Sequence, residues 1–65
     1  MYMTEFLLRH EKANQCEQVF ARYTDLSQVE EITLAEITAY RERHPEFTDG
    51  NIMVMTAILP SYCIN

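Results

Sequence analysis

The stretch NIMVMTAILPSYCIN, residues 51–65, decides how the rest of the chain is read. From Ile52 to Leu59 it carries one hydroxyl, on Thr56, and no charge. Eight residues are less than half of the roughly 20 that a membrane-spanning helix needs, so the run belongs to a core or to an interface. Ile and Val favour a strand. Nothing else in the chain reads as a strand, however, so an intrachain sheet has no second member. A lone strand could pair only with a copy of itself across a dimer axis. The expectation is therefore a helix over 49–59, capped by Thr48 or Asp49 and stopped before Pro60. Such a helix is apolar all round, with Ile52, Met55 and Leu59 on one side and Met53, Val54 and Ile58 on others. It needs either companions that wrap it or a partner surface.

Working back along the chain, Gly50 is the single glycine, and Pro45 and Pro60 are the two prolines. Scarce breakers beside many Glu, Gln, Ala, Leu and Met residues favour helices. In SQVEEITLAEITAYRERH, Ser27 and Glu30 have capping-box spacing, and so do Thr33 and Glu36. Leu26, Val29, Thr33, Ile37 and Tyr40 fall on one continuous helical face, which favours one helix over 27–44. The alternative is a helix-turn-helix restarting at Thr33, but such turns commonly hold a glycine and this one has none. Ile32, Ala35 and Ala39 form a second, roughly opposite face. Pro45 disfavours helical geometry at His44 and ends the element.

The first segment, EFLLRHEKANQCEQVFARY, places Phe6, His10, Ala13, Cys16, Phe20 and Tyr23 at spacings of three and four. That pattern predicts a helix over 4–23, N-capped by Thr4. The expected fold is thus all-α: a single domain, 1–65, with helices over about 4–23, 27–44 and 49–59. A helical hairpin plus an apolar third helix offers more apolar faces than 65 residues can cover. A domain of about 60 residues is marginal alone. A homodimer using one patch twice is the commonest solution. The expected interface residues are Ile32, Ala35, Ala39, Ile52, Met53, Met55, Ile58 and Leu59.

The formal charge is −5, and no charge falls in residues 50–65. A net negative chain lacks the basic footprint of nucleic-acid binding and of anionic membrane surfaces. Glu30, Glu31, Glu36 and Glu42 form an acidic face suited to a basic protein partner or simply to solubility. The nucleic-acid alternative rests on Arg41 and Arg43, which also suit a helix C-terminus with no ligand at all. His10, Cys16, His44 and Cys63 lack metal-ligand spacing, so neither a metal nor a cofactor is expected. Cys16 and His10 are six apart and form no nucleophile–base pair, so no enzyme is expected. The start of the chain has no basic region and no small-residue cleavage site. The two cysteines read as reduced thiols of a cytoplasmic protein. These readings converge on a small acidic accessory or regulatory protein that acts by protein–protein interaction, with a helix-turn-helix DNA-binding regulator over 27–44 as the alternative.

Overall fold

The computed structural model describes residues 1–47 and 49–59. It is α+β, not all-α. Strands β1 (Tyr2–His10), β2 (Glu17–Tyr23) and β3 (Ile52–Leu59) form an antiparallel sheet in the order β2-β1-β3, with one helix, α1 (Val29–Arg43), between β2 and β3 in sequence. Two of the three expected helices are therefore overturned. The 4–23 segment is a β-hairpin, and 49–59 is centred on a strand. Only the helix expected over 27–44 is present, running unbroken through Thr33, so no helix-turn-helix forms there.

The first error lay in the period. Thr4, Phe6, Leu8 and His10 alternate along β1 and are all fully buried. The intervening Met3, Glu5, Leu7 and Arg9 are half-buried on the other face. This is the two-residue repeat of a strand. Leu7 between Phe6 and Leu8 obscured it by making three apolar residues consecutive. In β2, Val19, Ala21 and Tyr23 point inward opposite Phe6, Thr4 and Tyr2, while Phe20 points out opposite Glu5. On the supposed helical stripe, Phe6, His10 and Tyr23 thus lie on one face of the sheet and Phe20 on the other. Thr4 is no helix cap: its hydroxyl is buried against the Tyr23 hydroxyl at 2.6 Å.

With β1 in the middle, β3 acquires the intrachain mate that it lacked as a lone apolar run. It pairs from Met3↔Leu59 to His10↔Ile52. α1 lies across the inner face. Tyr40 is buried with Phe6 and Leu8, and Ile32, Ile37, Val19, Ala21, Phe47, Ile52 and Val54 pack around them. Burying Phe6 or Leu8 contributes about 1.5–3 kcal/mol each.

Ser27 is not the cap: the capping residue is Asp25, two residues earlier, and α1 itself starts only at Val29. The Asp25 carboxylate accepts from the Ser27 N–H at 3.0 Å, and the Gln28 side-chain oxygen accepts from the Asp25 N–H at 3.1 Å. This reciprocal cap opens a 3₁₀ turn over Leu26–Gln28 that leads into α1. At the other end the His44 N–H bonds the Tyr40 carbonyl and the chain leaves at Pro45.

Candidate interaction surface

The inner face of β1 is buried from Thr4 to His10, but the cover does not extend along all of β3. Ile52 and Val54, on the inner face, meet the core beneath α1. Beyond them Met55, Thr56, Ala57 and Ile58 are four successive exposed residues, so both faces of the strand are open there. Met55 is 69% and Ile58 51% exposed. Three of the four are apolar. On the outer face Met53, Met55, Ala57 and Leu59 stand opposite Arg9, Leu7, Glu5 and Met3 of β1. Phe20 of β2 is half exposed on that face as well.

β3 is also an edge strand, since β1 occupies only one side of it. A strand edge presents unpaired N–H and C=O groups to any second strand, and natural edges are usually protected by charge, proline or a bulge. IMVMTAIL has neither charge nor proline, and its pairing with β1 runs residue for residue without a bulge.

The expected interface residues divide accordingly. Met53, Met55 and Ile58 are exposed, and Leu59 is half-buried. Ile52 and Ile32 pack against the chain's own core. On α1, Ala35 is exposed and Ala39 half-buried. Structure thus gathers Met53, Met55, Ile58 and Leu59 on one strand and leaves the helical candidates elsewhere. The signal available in the sequence was the absence of charge from β3. Its edge position required knowing that β1 and β2 are strands.

The remaining candidates hold the fold together. His10 is fully buried and stacked on Phe47, with ring centroids 4.2 Å apart and planes 4° apart. Its Nε2 lies 2.6 Å from the Asp49 carbonyl and its Nδ1 accepts from the Lys12 N–H at 3.1 Å. A carbonyl can only accept, so the ring proton sits on Nε2 and both nitrogens are used within the chain. The His10 N–H donates to the Tyr40 hydroxyl at 3.0 Å. Gly50, at φ +94°, lies so close that a Cβ would stand 2.6 Å from Glu11 Oε1 and 2.8 Å from His10 Nε2. The turn into β3 therefore requires glycine, both for its left-handed backbone and for space.

Arg41 donates to the Gly50 carbonyl at 3.1 Å. Arg43 donates through Nε and a terminal nitrogen to Glu17 Oε2, at 2.9 and 2.5 Å. Both arginines offered as nucleic-acid contacts thus bind this chain. Glu30, Glu31 and Glu42 are exposed along α1 and Glu36 is half-buried.

An open cleft of about 520 Å³ lies between the β1–β2 loop and the end of α1, lined in part by Lys12, Cys16, Glu17, Tyr40, His44 and Glu46. Glu17 takes a short hydrogen bond from His44 beside its Arg43 pair, and His44 Nδ1 is 3.2 Å from Glu46. The Glu17 bond, then Glu46, hold the His44 imidazolium above its ordinary value. The same His44 bond, followed by Arg43, holds the Glu17 carboxyl low. Cys16 is exposed at the cleft wall, and among the described residues no hydrogen bond joins it to His44. The cleft's histidine bonds two carboxylates. Among the described residues no group of three or more His, Cys, Asp or Glu side chains is placed to hold a metal ion. Cys63, and with it any Cys16–Cys63 bridge, lies outside the described residues.

No family model matches the chain, and neither does any curated protein or solved structure. Among the described residues no helix is long and apolar enough to cross a membrane.

Proposed function

We propose that this chain is a small, non-enzymatic, cytoplasmic accessory protein that acts by protein–protein contact and works as a homodimer. One observation carries the reading: β3 ends in four consecutive exposed residues, Met55–Ile58, on an edge with no protecting charge. An apolar strand open on two faces and one edge is an interaction element or an aggregation hazard. Charge favours the second copy as its occupant. The chain carries −5 overall, so two copies repel at most approaches, but residues 50–65 are uncharged. Two copies meeting there bring no like-charged side chains together from that segment. The non-enzymatic reading draws on His44 and His10, whose ring nitrogens are all engaged within the chain.

The test is molar mass by light scattering across a dilution series. A dimer that dissociates on dilution, and at higher concentration when Met55 or Ile58 is changed to Asp, supports the reading. A monomer at every concentration, with a cooperative melt, ends it.

A further inference from the structure

Resting on the homodimer reading, we propose that the two copies join edge to edge through β3, antiparallel across a twofold axis at Met55 or Thr56, making one continuous six-stranded sheet. The strand supplies the means. Ile52–Leu59 is about 27 Å long at strand rise, and among the described residues nothing pairs with its second edge. Backbone groups on that edge find partners of matching spacing in an identical strand running the other way. The opposite edge of the sheet is a poor competitor. β2 carries Glu17 and Arg22, and Glu17 is bound to Arg43 and His44.

Side-chain alternation fixes the register further. Residues directly opposite in a sheet point to the same face. In a twofold antiparallel pair, residue i faces residue j of the partner and the sum of their numbers is constant. Same-face pairing requires both to be odd or both even, so that sum is even. Two registers keep seven residues of Ile52–Leu59 paired. A sum of 110 places Met55 on the axis, Met53 opposite the partner's Ala57, and Ile52 opposite the partner's Ile58. A sum of 112 places Thr56 on the axis and Val54 opposite the partner's Ile58. Either covers Met55–Ile58, the exposed run. The axis stands perpendicular to the sheet. Both α1 helices therefore lie on one side, and the two outer faces, with Met3, Leu7 and Phe20 set among Glu5, Arg9, Gln18 and Arg22, merge into one surface on the other.

Cysteine scanning tests this in the full chain with Cys16→Ser and Cys63→Ser. Opposed strand residues stand about 4.5–5.5 Å apart, within disulfide reach. Under mild oxidation Met55→Cys or Thr56→Cys should form a dimer-linking disulfide. A mixture of Met53→Cys and Ala57→Cys chains, or of Val54→Cys and Ile58→Cys chains, should form the mixed link of the matching register. The odd-sum mixture of Met53→Cys and Ile58→Cys should not. Phe20→Glu, on the far side of the outer face, should leave the dimer mass unchanged. Met55→Asp should weaken self-association at least about tenfold, equivalent to ~1.4 kcal/mol, with the circular dichroism of the monomer retained. A stable dimer that fails to cross-link at both 55 and 56, or that Phe20→Glu dissociates, overturns the edge arrangement and assigns the contact to the outer face; the homodimer reading survives. A monomer at all concentrations overturns both.

Discussion

The two edges of this sheet flank the same central strand, yet they are finished in opposite ways. β2 begins with Glu17, which Arg43 and His44 tie to the end of α1, and it carries Arg22 near its other end. β3 pairs with β1 along its whole length, but its side-chain ties lie where it begins. There Gly50 turns against His10, and Arg41 holds the Gly50 carbonyl. From Met55 onward it has neither charge nor cover until Leu59. One edge carries charge and an ion-pair tie to the end of the helix at Glu17, and the other carries neither. The difference shows that so small a core covers the central strand along its inner face but only the beginning of β3.

The largest expected effect removes what the two edges share. Leu8 is fully buried in the central strand, opposite Glu17 on one side and Val54 on the other. Leu8→Ala should cost about 2–5 kcal/mol, read as a lower denaturant midpoint, and should loosen β2 and β3 together in hydrogen exchange. Protection lost from only one edge strand would show that the edges do not depend equally on β1.

Gly50→Ala should act on the β3 side alone. The added methyl meets Glu11 and His10 at a positive φ, for about 1–3 kcal/mol of destabilisation. Chemical denaturation measures the cost, and exchange rates should rise first in β3. A neutral result would mean that the turn can relax without disturbing His10.

The third comparison uses one row of the outer face, in which Gln18, Leu7 and Met55 lie side by side across the sheet. Gln18 and Met55 are both exposed, one on each edge. Met55→Lys should weaken self-association about tenfold or more, whereas Gln18→Lys should change neither dimer mass nor stability by more than about 0.5 kcal/mol. Equal effects of the two lysines, measured by sedimentation equilibrium, would erase the distinction between the edges.

The smallest effect is the pH response of the β2 side. His44 is raised above 6.5, so its contribution is fully present below pH 6.5 and is lost as pH rises through its folded value. Glu17 is lowered below 4.5, so its contribution is present above pH 4.5 and is lost as pH falls through its folded value. The tie between β2 and α1 is strongest between those limits. The thermal midpoint should fall modestly from about pH 6 to about pH 9, and Glu17→Gln should flatten that slope. An unchanged slope in the variant would remove the Glu17–His44 pair as its cause.

Local reading succeeded where one element was enough. The helix over 27–44 is legible because its stripe and its Pro45 stop agree. It failed at 4–23 because Phe6, His10, Phe20 and Tyr23 satisfy a helical spacing by coincidence, while Leu7 hides the alternation around it. The loop between β1 and β2 runs through Lys12, Ala13 and Asn14 without the glycine that marks many hairpins. The candidate surface was half legible: the uncharged run marked β3, but exposure at Met55–Ile58 depends on where α1 stops covering the sheet.

The sequence by itself determined the position of the helix and the uncharged character of residues 50–65. Both follow from local propensity and charge, whereas the need for glycine at 50 follows from its positive φ and its closeness to His10 in the folded chain. Tertiary structure alone decided that IMVMTAIL is a strand. Its mate is β1, more than 40 residues away in sequence from His10↔Ile52 to Met3↔Leu59, and a short apolar run folds as helix or strand according to the hydrogen-bonding partner it meets. Tertiary structure decided likewise that Arg41 and Arg43 serve the fold and that His10 lies buried. Those roles depend on Gly50, Glu17, Asp49 and Phe47, which the folded chain brings to them.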